Sequence, residues 1–384
     1  MDRPRADLVL GSPVGRLLLA GRLGFSLRKI LSEQLGLGQL PGGAPLTAGE
    51  ARRAAPRRYR RRRDVTAPEA RAAVGTAVAR GDWRGVADLD ELGLLAELAD
   101  GTLGPGSGSA DDAMRMLLAL AGPELRPVAD ALLAAPAAHR WWQPVAVADQ
   151  RFLEWDGGPR LTGRELGQAV RDGMRRARAE NAEALQRHRP GSRIRDEWWS
   201  APDFASQTWT TGAFGDVPAI ALRHFIDTLT PFEETGATVW SLQIAAQARV
   251  LEIGAPEDWQ ELVRRFPRDV TGTHEGEWRE SGGVPGPWRL PDWEKVMDHY
   301  DGVHVTIRGY VACGGLAPPV GDGYTMLTGW LPDATLWLTD RVTGARRLGR
   351  WHGDPQGVGN WDDISDGWTP DDTVNAAGST GADS

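Results

Sequence analysis

The chain has 384 residues, of which 41% are hydrophobic and 25% charged, a balance that excludes collagen-like, coiled-coil and wholly disordered classes and leaves one large or two modest cores. Its single cysteine, Cys313, excludes an internal disulfide framework and a thiolate zinc knuckle. The formal net charge of -8 is unevenly spread: residues 1–63 carry 14 Lys and Arg against 4 Asp and Glu, a net of +10, so the remainder carries -18.

At the start, Leu17, Leu18 and Leu19 form a short apolar run that Arg16 and Arg22 interrupt. A membrane span needs roughly 18 apolar residues, and a secretory signal needs an unbroken apolar centre, so neither is expected and a cytoplasmic protein is. The arginines from Arg52 to Arg63 repel one another, and residues 1–65 are expected to be a disordered basic arm. Such an arm can hold nucleic-acid phosphates without sequence preference, although Tyr59 alone offers no stacking ladder for bases.

From Thr66 the pattern turns helical. Thr66 and Glu69 make a capping box around Pro68, which sits in the first turn where its missing N–H costs nothing. Further helices are expected over 83–98, from Ser109 through Leu120, and from Pro123 to Ala134, with 101–109 as a flexible loop. Residues 66–140 therefore read as a helical subdomain.

Residues 141–350 read as a mixed, mostly antiparallel α+β domain, giving an α+β protein with disordered termini. Extended segments are expected at Trp141–Val147 and Arg151–Trp155. A long amphipathic helix follows over Gly163–His188, with Leu166, Val170, Met174 and Ala177 on one stripe. Strands are expected at Ala219–Phe225, Ala237–Ile244, Ala248–Ile253, Gly302–Ile307, Thr325–Trp330 and Thr335–Thr339. Helices are expected to open at Pro256 and Pro291, with a glycine-rich loop over Gly272–Gly286. From residue 351 there is no Lys or Arg but there are seven acidic residues, which predicts a disordered acidic tail.

The chain holds 17 Trp against 7 Phe and 4 Tyr. Trp141, Trp142, Trp198, Trp199 and Trp330 are candidate walls of a cleft for a nucleotide-like or other small ligand, since indoles stack on bases, sugars and cations. Adjacent residues of an extended segment face opposite ways, so one ring of each pair is expected to leave the core. His304 alternates with Val303 and Val305, which places it with Gly302 and Thr306 on the face away from the core, towards a polar surface or cleft. There it suits a general base or an orienting group. His299, Asp301 and His304 are close in sequence but lack the spacing of metal ligands, and no metal is expected. Cys313 reads as a small buried hydrophobe or, less commonly, a nucleophile. Phosphate-loop, nucleophile-elbow and dinucleotide-binding motifs are absent, so no cofactor is legible.

The segments Ala248–Trp259, Pro291–Trp293, Tyr300–Thr306 and Gly329–Leu338 resemble, as a set, a group of proteins of high-GC Gram-positive bacteria. The resemblance spans about 66–345 and implies a bacterial cytoplasmic protein without specifying chemistry. Arg249 heading a strand, with a helix opening at Pro256, is similar to the start of ADP-ribosyltransferase-like domains. That resemblance implies an arginine that holds NAD, with Asp301, His304, Asp333 and the tryptophans forming a nicotinamide pocket. The Ser-Thr-Ser strand and Glu-x-Glu loop of that family are missing.

Three functions follow. The first is an enzyme or binding protein using His304, Asp301, Arg249 and Asp333 beside the tryptophans. The second is a non-catalytic interaction module whose tryptophans are core. The third is nucleic-acid binding through Arg52–Arg63.

Overall fold

The computed structural model describes residues 5–23, 66–81, 83, 118–156, 166–187, 197–202, 209–215, 217–223, 236–353 and 368–370. The Arg52–Arg63 block, the helix expected over 84–98, the loop over 101–109 and most of the acidic tail lie outside them.

The first helices are α1 (Arg5–Gly11) and α2 (Pro13–Arg22). Ser12 caps α2: its Oγ accepts the Gly15 N–H at 2.8 Å and donates to the Val311 carbonyl, while the Val14 N–H reaches the Gly314 carbonyl at 3.3 Å. Val9, Leu19 and Leu23 are buried in the main apolar core. The expectation of an extended basic arm is therefore corrected for residues 5–23. Their leucines recur with helical spacing, and burying them outweighs the repulsion among a few well-separated arginines.

Helix α3 (Ala67–Arg80) begins as expected, with the Glu69 carboxylate accepting the Thr66 N–H at 2.9 Å and its hydroxyl at 2.8 Å. A 3-10 turn (Gly122–Leu125) leads into α4 (Arg126–Ala134), and a second 3-10 stretch runs over Pro136–Trp142. The first part of Trp141–Val147 is thus helical rather than extended.

Then come β1 (Gln150–Trp155), α5 (Leu166–Arg187), β2 (Trp209–Thr211), β3 (Gly236–Ile244), β4 (Val250–Ile253) and α6 (Pro256–Arg265). They are followed by β5 (Pro267–Asp269), α7 (Thr271–Gly282), β6 (Arg289–Pro291), α8 (Trp293–Val296), β7 (Gly302–Val305) and α9 (Ile307–Cys313). The chain continues through β8 (Pro319–Val320), β9 (Gly323–Tyr324), β10 (Ala334–Trp337), β11 (Val342–Gly353) and β12 (Trp368–Pro370). Eight strands form one sheet in the order β12-β11-β3-β1-β2-β10-β7-β4, in which only the β4–β7 pair is parallel. Strands β5–β6 and β8–β9 form two small ladders. The protein is α+β, with a mixed sheet. Among the described residues no helix is long and apolar enough to cross a membrane.

Four expected elements differ. The glycine-rich stretch after Gly272 is helix α7: a Cβ at Gly272 would stand 2.5 Å from the Asn181 carbonyl, so that glycine permits close approach to α5. Thr325–Trp330 is not a named strand, because Ser200 takes its polar groups. The Thr328 N–H donates to Ser200 Oγ at 2.9 Å, and the Ser200 N–H donates to the Thr328 carbonyl at 3.1 Å. Ile220–Arg223 is a 3-10 turn, not a strand, with the Ile220 N–H held by the Gly212 carbonyl at 2.9 Å. Within the acidic tail, Trp368–Pro370 pairs with β11 as an edge strand.

Val303 and Val305 of β7 share one buried cluster with Ile253, Leu336, Trp209, Trp259, Trp293 and Trp330. Trp330 is its hub, with ring centroids 4.9 Å from Trp209 and 5.9 Å from both Trp259 and Trp293. Most of the excess tryptophan is thus absorbed by this interior.

Candidate functional site

Because side chains alternate along a strand, His304 points away from the face of Val303 and Val305. Strand register sets Glu252 of β4, His304 of β7, Thr335 of β10 and Thr210 of β2 side by side on that face. A polar row therefore crosses four neighbouring strands, and it continues through Thr210 Oγ1, which donates to Gln150 Oε1 and accepts Trp337 Nε1 at 2.8 Å. Where a polar surface or cleft is expected in front of His304, the residues are enclosed: His304 is 3% exposed and Thr335 0%. The phase is as the alternation predicts, but the face is covered.

His304 Nδ1 lies 2.9 Å from Thr335 Oγ1. Its Nε2 is buried without a hydrogen-bond partner and stands 3.4 Å from Asp333 Oδ1. The other Asp333 oxygen accepts both Arg140 Nε at 3.1 Å and Arg140 Nη2 at 3.0 Å. Arg140 also lies over the Phe214 ring at 5.2 Å and reaches the Ala213 carbonyl at 3.4 Å. Burial raises the Asp333 pKa, but the adjoining His304 and then Arg140 outweigh it and hold the carboxyl below its ordinary value. Asp333 has φ 58, a left-handed conformation uncommon outside glycine. Its side chain is 18% exposed and that of Arg140 26%, so this pair is more accessible than the enclosed imidazole.

The site stands at the carboxyl end of the parallel β4–β7 pair, since Ala334 pairs with Val305. At the same end Glu252 Oε1 accepts the Val145 N–H at 3.0 Å. The half-buried Trp142 stands nearby, with the guanidiniums of Arg5 and Arg308 at 4.3 and 5.6 Å from its ring centroid. Chemically, Asp333 sets a carboxylate oxygen beside the buried His304 Nε2, while Arg140 keeps that carboxylate in place.

Asp301 and Arg249 meet each other, but at the opposite end of β7. The buried Asp301 carboxylate accepts the Arg249 N–H at 2.8 Å and the Thr339 hydroxyl at 2.9 Å, with Arg341 Nε 2.9 Å away. Burial raises the Asp301 pKa, and these hydrogen bonds, led by that from the Arg249 main chain, bring it below the usual carboxylate value. This cluster ties β4, β7 and the start of β11 together and does not join His304. Trp141, Trp198 and Trp330 are buried in the core, whereas Trp142 and Trp199 are half-buried. His299 stacks on Phe266 at 5.0 Å. Among the described residues no three His, Cys, Asp or Glu side chains gather as a metal site. Cys313 is buried, and desolvation, followed by the charges of Asp258 and Glu257, raises its thiol pKa, which disfavours a thiolate nucleophile.

Sequence reasoning missed Arg140, Glu252, Thr335 and His274. Glu252 and Thr335 left a trace, each a lone polar residue inside an apolar strand. Arg140 left none among 42 arginines. His274 is buried, with Nε2 3.1 Å from the Trp199 carbonyl and Nδ1 2.8 Å from Thr273 Oγ1, and desolvation is the leading cause of its pKa of about 3. A cavity of about 260 Å³ between α1, α6 and α9, lined by Asp7, Pro256, Glu257, Gln260, Leu316 and Pro319 among others, includes none of the polar row.

Fold and site together define an α+β protein with a buried polar row flanked by a partly exposed arginine–aspartate pair. No protein-family model, curated protein or solved structure matches the chain.

Proposed function

We propose that this protein is an enzyme or binding protein for a nucleotide-like small ligand, working in the bacterial cytoplasm, with His304 and Asp333 as its acid–base pair. The observation that carries the reading is Asp333, which adopts a left-handed backbone while its carboxylate lies between the Arg140 guanidinium and the buried His304 imidazole. Strained backbone beside a histidine and a carboxylate, at the carboxyl end of parallel strands, suits a site more than a bare structural contact. Trp142 and Phe214 supply aromatic surface at this end; Trp141, Trp198 and Trp330 serve packing. In this reading Arg249 takes no part, because it stands at the amino end of β4.

The test is calorimetric titration of the wild-type chain and His304→Gln with nucleoside mono-, di- and triphosphates and dinucleotides. We expect one of these to bind the wild type. The variant should keep its circular-dichroism spectrum and lose binding or turnover; a variant that binds and turns over like the wild type would overturn the reading.

A second reading, a non-catalytic interaction module, draws on the burial of Trp141, Trp198 and Trp330. Nucleic-acid binding rests on Arg52–Arg63, outside the described residues.

A further inference from the structure

Arg5 and Arg308 come from elements far apart in sequence, yet both guanidiniums lie within the roughly 6 Å over which a cation feels an indole face, and the indole is the same one, Trp142. Each therefore carries a charge that a nearby anion would offset. Among the described residues neither makes an ion pair: the nearby Asp7 is taken by Arg126, and Asp258 caps α6 through the Gly254 and Ala255 N–H groups at 2.9 Å each. Trp142 Nε1 is also buried without a hydrogen-bond partner, so the ring that both cations meet retains an unused donor.

The position is built rather than incidental. Arg308 lies across the carboxyl end of β4, where a Cβ at residue 254 would stand 2.6 Å from its Nη2; glycine there admits the guanidinium onto the strand. Glu252, whose register partner is His304, is two residues upstream on the same face. Arg140 already has its carboxylate, whereas Arg5 and Arg308 have none among the described residues.

We infer that Arg5, Arg308 and Trp142 bind the phosphate group of a small molecule. Phosphate matches two guanidiniums because its oxygens accept several charge-assisted hydrogen bonds at once, and a half-buried indole excludes competing water. The inference deepens the proposed ligand class and rests on that reading for the chemistry at His304, but not for the anion site itself.

Isothermal titration calorimetry with inorganic pyrophosphate at low ionic strength tests it, using the full chain, Arg5→Gln, Arg308→Gln and, as a charge control on the exposed face of α6, Arg264→Gln. We expect the wild type to bind, each of the Arg5 and Arg308 variants to lose at least about tenfold in affinity, and Arg264→Gln to retain binding. Absence of wild-type binding, or wild-type affinity in both the Arg5 and Arg308 variants, overturns the site. Should Arg308→Gln not fold, Arg5→Gln decides, because Arg5 is exposed. Stronger binding of a short DNA duplex than of pyrophosphate at equal phosphate concentration overturns the small-molecule assignment. Pyrophosphate binding with no nucleotide response would sink the nucleotide reading and leave the anion site standing.

Discussion

Asp301 holds Arg249 twice: its Oδ2 accepts the Arg249 main-chain N–H at 2.8 Å and lies 3.5 Å from the guanidinium Nε. The main-chain bond joins the start of β4 to the start of β7 and makes this pair part of the fold rather than of the site. Asp301→Ala should cost about 3–5 kcal/mol, because it leaves buried donors from Arg249, Thr339 and Arg341 without their common acceptor. Urea denaturation measures the loss. A change below about 1 kcal/mol would show that solvent satisfies these donors. Since the folded pKa is lowered, this contribution is complete above the unfolded value of about 3.9 and fades as acid titrates the folded carboxyl.

The strain at Asp333 separates backbone from charge. Asparagine tolerates left-handed backbone, so Asp333→Asn should fold with a loss of about 1 kcal/mol while removing the carboxylate charge beside His304. Asp333→Val adds β-branching at φ 58 and should be less stable than the asparagine variant by at least about 1 kcal/mol. Thermal melts of the two variants give the comparison, and equal stabilities would contradict it.

Stability should fall in mild acid through His274. Its folded pKa of about 3 lies below the unfolded value, so between them the unfolded chain binds the extra proton and folding weakens as pH drops. The slope is about 1.4 kcal/mol per pH unit from near pH 6.5 downwards. Urea midpoints of wild type and His274→Gln across pH 6.5 to 4.5 (roughly the window set by those values) should diverge in slope, with the wild type steeper; parallel curves would refute it.

Helices α1 and α2 belong to the core. Leu19 is 0% exposed, so Leu19→Ala should destabilise the protein by about 2–5 kcal/mol. Were these residues a detached arm, the substitution would leave the melting temperature unchanged, which makes the melting curve a direct check.

Local patterns were readable wherever one residue type speaks for its own turn or strand. Thr66, Pro68 and Glu69 announced α3, and the stripe through Leu166, Val170 and Met174 announced α5, because caps and helical period act over one or two turns. The alternation Gly302-Val303-His304-Val305 likewise assigned His304 to the face opposite the valines, since strand geometry leaves side chains only two directions. Gly272 misled for a physical reason: glycine lowers helix propensity in isolation, yet here it lets α7 approach the Asn181 carbonyl.

The residues themselves therefore determined the α+β class and the side of the sheet that His304 occupies. Only the tertiary structure decided that Arg140 meets Asp333 across 193 positions, that Asp301 stays with Arg249 at the far end of β7, and that the polar face is enclosed. Backbone periodicity is a property of neighbouring residues. Which of 42 arginines reaches which carboxylate depends on sheet register and on the burial of distant apolar surface, and neither leaves a mark beside the residue concerned.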